Sequence, residues 1–256
     1  MNNREVMLKA LTGIKLVEPG DDLGAITVEA FATNGVQPRT GDVLVVAQKV
    51  VSKAEGRYVE VAWVEPSERA ITLAAKLGKD PRFVEIVLGE SKRVVRHRPG
   101  LLIVEHRLGF VMANAGIDHS NVSTADGAER VLLLPCDPDA SARALRDHIA
   151  RNCGVLIGVI ISDSFGRPWR KGTVGIALGA AGLPAVIDMR GRPDLFGREL
   201  RVTETGFADE IAAAAGLLMG QAAEALPMVL VRGLVWSAPE APAAALVRPA
   251  EHDLFR

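Results

Sequence analysis

Cysteine is scarce in this sequence, aromatic residues are few, and neither sign of charge is in excess. The two cysteines, Cys136 and Cys153, lie too far apart for a CxxC motif, and no His/Cys cluster surrounds them. That excludes a disulfide framework and a zinc site of ordinary spacing. They read as reduced thiols of a cytoplasmic protein. Aromatics make up 4% of 256 residues, too few for the stacking platforms of a single-stranded nucleic-acid binder. Thirty Lys and Arg face 31 Asp and Glu, so the basic excess of a general nucleic-acid partner is missing too. Met1-Asn2-Asn3-Arg4-Glu5 opens no secretory apolar region, and the most apolar stretch, Val174 to Ile187, is too short and too rich in Gly and Pro to span a bilayer. No nucleic-acid or membrane partner is expected. Common catalytic signatures are also absent: no GxxxxGK[ST], dinucleotide fingerprint, HExxH or GxSxG.

What is present is an ordinary globular balance, 48% apolar and 24% charged, enough to bury a core without staples. Elements alternate in type along the chain. Asp42 to Val51 reads as a strand, and Pro66 to Leu77 as a helix stopped by Gly78. Asp80-Pro81 and Asp137-Pro138 each pair an N-cap with a proline at the first helical position, which predicts helices ending near Gly89 and Gly154. Leu101 to Val104 and Gly109 to Met112 are strand candidates. Val155 to Ser162 is the clearest strand, its unbroken apolar run fitting a position covered on both faces. Gly166 to Gly172 reads as a cation-rich loop, Val174 to Ala180 and Ala185 to Asp188 as strands, Thr205 to Met219 as a helix, and Met228 to Arg232 as a last strand. The order lacks a clean βαβ rhythm, so the expected class is α+β, mixed sheets with packed helices. Residues 1–236 are expected to form one domain, and 237–256 an irregular, Pro/Ala-rich tail.

Three polar segments follow apolar runs. Asn114-Ala115-Gly116-Ile117-Asp118-His119-Ser120-Asn121 offers small residues for close backbone approach, a carboxylate and an amide. Ser162-Asp163-Ser164 sets a carboxylate beside hydroxyls, and Arg167, Arg170 and Lys171 follow closely. A carboxylate with a hydroxyl suits Mg²⁺ or Mn²⁺, which prefer oxygen ligands, and the cations suit phosphate or carboxylate. Gln48, Lys49 and Lys53 follow the first strand, and if that strand continues, the two lysines face one side. Against this stands the plainer account, in which aspartates at strand ends cap turns and cationic loops are solvated. No histidine pair has metal spacing, and His119 beside Asp118 is the one to watch. The residues by themselves stop at a metal-dependent enzyme acting on an anionic substrate.

Longer segments carry a resemblance. VVAQKVVSKAEGR (45–57), KDPRFVEIVLGES (79–91), ANAGIDHSNV (113–122), LLPCDPDASARALR (133–146), ISDSFGRPWRKGTVGIALGAAG (161–182) and ADEIAAAAGLLMGQ (208–221) together resemble the coenzyme F420-0:L-glutamate ligase family, in the family's order, from about Gly13 to Arg232. The resemblance implies the F420 gamma-glutamyl ligase-like fold in single-domain form, as an intertwined homodimer. It implies an enzyme joining L-glutamate to the terminal carboxylate of coenzyme F420-0 with GTP as co-substrate, releasing GDP and phosphate, with further γ-linked glutamates in some members. It also implies Mg²⁺ or Mn²⁺, two per site, together with K⁺. Asp118 and Asp163 match the family's metal carboxylates, Ser164 its hydroxyl ligand, and Gln221 a further ligand. Gly13, Ile14, Lys15 and Leu16 fall at the GTP-binding turn, with Lys15 where the family usually has proline. Gln48, Lys49 and Lys53 match phosphate- or base-contacting positions, Asn121 a nucleotide contact, and Met219-Gly220-Gln221 a late nucleotide segment. Asp118, Asp163 and Arg170 are the expected catalytic residues. Two other readings stay open: a metal-dependent phosphotransferase or hydrolase using the same acidic site, and a non-catalytic nucleotide-binding protein.

Overall fold

A computed structural model describes residues 5–118 and 128–254. Its elements run β1 (Met7–Ala10), α1 (Leu23–Thr33), β2 (Val43–Ala47), α2 (Gln48–Ala54), β3 (Tyr58–Glu60), α3 (Glu68–Leu77), α4 (Pro81–Gly89), β4 (Ser91–Arg98), β5 (Leu101–His106), β6 (Val111–Ala113), β7 (Arg130–Leu132), α5 (Pro138–Cys153), β8 (Gly158–Arg167), β9 (Arg170–Ala181), β10 (Ile187–Asp188), β11 (Glu204–Thr205), α6 (Phe207–Met219) and β12 (Met228–Arg232). The class is α+β with mixed sheets. No helix among the described residues is long and apolar enough to cross a membrane.

Helix ends follow the local chemistry. Asp80 and Asp137 accept from backbone N–H groups at the starts of α4 and α5, each with proline inside the first turn. Gly78 and Gly154 end α3 and α5 in the left-handed region that favours glycine. Asp22 caps α1 through Gly24 and Ala25, a helix that lacks strong periodicity and escaped the sequence reading.

The central sheet has the order β1-β12-β2-β8-β9, with β2 and β8 parallel and the other pairs antiparallel. Alternation sends Leu44, Val46, Val159 and Ile161 into one core, shared with Phe31, Leu145 and Ile149 of α1 and α5. Val43, Val45, Ile160 and Val229 enter the opposite core, against Ile211, Ala212 and Ala215 of α6. A helix layer on each face explains why β2 and β8 read as unbroken apolar runs. A third core gathers α3 and α4 against β5 and β7 through Val84, Val87, Leu102, Val104 and Val131. Met112, Leu134, Phe165 and Leu178 form a smaller cluster linking β6 to β8 and β9.

Two expectations need correction. Residues 48–51 are helical: β2 ends at Ala47 and the chain turns at once into α2. Val51 is β-branched yet buried in the α1/α5 core, so tertiary packing overrides its strand preference. Residues 166–172 are a projecting hairpin, because β8 runs to Arg167 and β9 starts at Arg170. In addition, β8 begins at Gly158, after the exposed Leu156. Close approach holds β9 in place. A Cβ at Gly179 would overlap the carbonyl of Pro138, and one at Gly175 would lie 2.5 Å from the carbonyl oxygen of Ala212. Beyond Ser237 the chain forms single turns over Ala243–Leu246 and Ala250–His252, and Ala243 is buried against the α6 core. Asp139 accepts from the N–H groups of Ala180 and Ala243, tying that segment to α5 and β9.

Candidate active site

The parallel pair β2 and β8 ends at one edge of the sheet, and the polar residues of interest gather there. In open α/β arrangements, loops beyond the carboxyl ends of parallel strands are the usual ligand-binding region. From β2 the chain enters α2 with Gln48 and Lys49. From β8 it delivers Ser162, Asp163 and Ser164. Opposite Ser162 the β8/β9 register shifts by one residue, with Ile161 facing Gly179 and Ser162 facing Ala177. Such a bulge re-aims neighbouring side chains and recurs beside active sites. The Ala177 N–H at the bulge donates to Asp209 of α6 at 2.8 Å.

Asp118 arrives from a third direction. After β6, Asn114, Ala115 and Gly116 all take positive φ, at 49°, 54° and 66°. Consecutive left-handed residues are costly outside glycine. Ala115 is fully buried in the α3/α4 core, which holds the turn closed. Asp118 then pairs with Leu132 through two backbone hydrogen bonds, of 3.0 and 2.9 Å. Its Oδ2 accepts from Nε2 of Gln48 at 3.0 Å, and its Oδ1 lies 3.4 Å from Nζ of Lys49.

The electrostatics are those of two carboxylates set against one another. Burial, then the Asp118 charge, push the Asp163 carboxyl up to about 7 from its ordinary 3.8. Lys53 is held below the usual lysine range by burial and by Lys49 one helical turn before it. The two lysines do share a side, through helical i,i+4 spacing rather than along a strand. Two carboxylates, with the hydroxyl-bearing Ser162 and Ser164 on either side of Asp163 in the chain, form a hard-oxygen donor set, which fits Mg²⁺ or Mn²⁺. Among the described residues no group of three or more His, Cys, Asp or Glu offers a competing metal cluster.

The other expected residues divide. Met219 reaches Ser162, with Sδ 3.9 Å from Oγ. Gln221 accepts from Thr173 Oγ1 at 3.5 Å, and Thr173 pairs with Gly166, so Gln221 lies along the hairpin just beyond Ser164. Gly220 ends α6 at φ 70°. Arg170 pairs across the hairpin with Arg167, roughly 13 Å along the strand from Asp163 at about 3.3 Å per residue. Gly13, Ile14, Lys15 and Leu16 form an exposed to half-exposed turn in which Lys15 binds Asp21 at 2.7 Å. No described contact joins that turn to the carboxylates. Gln48 is 1% exposed, its amide engaged by Asp118 and Ser52. Asn121 and His119 lie outside the described residues. Ser52 was missed: its signal is the four-residue spacing from Gln48, visible only once 48–54 is read as helix.

Comparison with known proteins places the chain in a family. A sequence model of the F420-0:Gamma-glutamyl ligase family matches residues 13–233, which includes both aspartates. The coenzyme F420:L-glutamate ligase of Methanothermobacter thermautotrophicus is 43% identical over 253 residues, covering 98% of this chain and 99% of the relative. The protein of the same name from Methanopyrus kandleri is 46% identical over 94% of this chain and 93% of its own length. That from Methanocaldococcus jannaschii is 44% identical over 84% and 85%. With nearly the whole chain matched and its carboxylates brought together at the strand ends, the chain belongs to the F420-0:Gamma-glutamyl ligase family.

Proposed function

We propose that this protein joins L-glutamate to the terminal carboxylate of coenzyme F420-0 in coenzyme F420 biosynthesis, with GTP as phosphate donor. The observation that carries the reading is the near full-length similarity to relatives named coenzyme F420:L-glutamate ligase, spanning the segments that supply Asp118 and Asp163. The chemistry suits the site. A carboxylate oxygen is a poor leaving group, so an amine attacks usefully only after activation. Transfer of the GTP γ-phosphoryl to that oxygen gives an acyl phosphate and GDP. Attack by the glutamate nitrogen then forms the amide and expels phosphate.

Asp118, Asp163, Ser164 and Gln221 would hold Mg²⁺ or Mn²⁺. When bound, such ions neutralise charge on phosphate oxygens. Lys49 and Lys53 add positive charge for the nucleotide phosphates, and Arg167, Arg170 and Lys171 on the hairpin suit the phosphodiester of the substrate. We assign no covalent enzyme intermediate, since neither cysteine has a histidine partner nearby in sequence and no serine sits in an elbow motif. The working unit in this reading is a homodimer.

The test is incubation with GTP, Mn²⁺, coenzyme F420-0 and glutamate, followed by mass analysis. A glutamyl adduct formed with GDP supports the reading. Phosphate release without an adduct favours a phosphotransferase or hydrolase. With the substrate carboxylate labelled by heavy oxygen, one labelled atom should appear in the released phosphate.

A further inference from the structure

The Gln48 amide is buried at the edge of the acidic pair, where both of its ends need partners. Nε2 donates to Oδ2 of Asp118 at 3.0 Å, and Oε1 accepts from the Ser52 hydroxyl at 2.9 Å. Ser52 is itself fully buried, one helical turn after Gln48 on the same face of α2. The line therefore runs in one direction, hydroxyl to amide to carboxylate. Turned over, the amide would point its oxygen at a carboxylate, acceptor against acceptor. With the Ser52 proton on Oε1, the amide is held with its N–H toward Asp118, and the carboxylate is fixed through Oδ2.

We infer that Ser52 is a positioning residue for the Asp118 carboxylate, acting only through the Gln48 amide, and that this buried line sets how tightly the site takes a divalent cation. The inference rests on reading Asp118 and Asp163 as metal carboxylates. Partners that orient ligating groups commonly change metal affinity by about 10–100-fold when removed. A serine that merely fills space in α2 would affect melting temperature alone.

The experiment is calorimetric titration of Mn²⁺ into the full-length, metal-free protein without nucleotide, alongside a melting curve for each variant. Ser52→Ala should weaken Mn²⁺ binding by about 10-fold or more. Gln48→Met, similar in length and without a donor, should weaken it by at least as much. In the double variant, Ser52→Ala should add nothing to the loss already caused by Gln48→Met, because the hydroxyl has no amide left to hold. Ser52→Cys, which keeps volume with a weak donor, should follow Ser52→Ala and serves if the alanine variant does not fold. Unchanged Mn²⁺ affinity in Ser52→Ala, or additive losses in the double variant, overturns the relay and leaves the metal site standing. A parent protein that binds no Mn²⁺ overturns both.

Discussion

Asp118 and Asp163 show how two like residues acquire different roles from their surroundings. Asp118 has an amide donor on one oxygen and a lysine near the other, whereas Asp163 is pushed up to about 7 by burial and by Asp118 itself. Between pH 4 and 7, approximately, the folded protein keeps a proton on Asp163 that the unfolded chain has already released. Stability of the metal-free protein should therefore fall as pH rises across that window and stay low above it. Asp163→Asn removes this cost and should stabilise the metal-free protein at pH 8 by on the order of 4 kcal/mol. The gain should be smaller at pH 5, and equal gains in melting temperature at both pH values would contradict the assignment. Asp118→Asn keeps volume and loses charge. It should abolish turnover while leaving a folded protein, and activity within about tenfold of the parent, a cost near 1.4 kcal/mol, would remove Asp118 from the catalytic set.

At the level of elements, the β8/β9 hairpin carries charge away from the carboxylates. Its turn places Trp169 at φ 65°, a conformation few side chains adopt, with Pro168 before it and Arg170 after it. The Arg167 guanidinium donates to the Gly172 carbonyl at 3.2 Å, which braces the tip. Arg170 is exposed and pairs across the strands with Arg167, so its side chain contributes little to the core. Arg170→Ala should raise the KM for coenzyme F420-0 or GTP while moving the melting temperature by no more than a surface substitution does, about 0.5 kcal/mol in stability. Lost stability with unchanged KM would make the hairpin structural.

For the whole molecule, the distribution of exposed apolar side chains matters more than their number. Trp169 on the hairpin, Leu195, Phe196 and Val202 in the segment between β10 and β11, and Leu217 at the end of α6 are each more than 80% exposed. Scattered exposed leucines need no explanation, but tips of projecting segments are where a second copy would gain most by covering them. Sedimentation should give a dimer for the parent protein. The combined Leu195→Asp and Phe196→Glu variant should sediment as a monomer, with little loss of secondary structure by circular dichroism. A parent that sediments as a monomer at micromolar concentration would reject the homodimer.

Local chemistry was legible wherever a few adjacent residues decide the outcome. Asp80-Pro81 and Asp137-Pro138 start α4 and α5, Gly78 and Gly154 stop α3 and α5, and the unbroken run of β8 announces a strand covered on both sides. Ser162 and Asp163 stood out for the same reason, directly after an apolar run, and Asp118 as the carboxylate of the small-residue segment that follows Met112. Tertiary structure alone decided where a locally ambiguous segment went. Residues 48–51 are β-branched enough to continue a strand, yet they turn into α2 because Val51 finds its burial in the α1/α5 core. That turn makes Gln48 and Ser52 neighbours. The approach of Asp118 to Asp163, 45 residues apart in the chain, likewise depends on a left-handed turn held closed by a buried Ala115. Capping and periodicity act over a turn or two of chain, whereas charges from separate elements are brought together by packing between cores, which no short window of sequence contains.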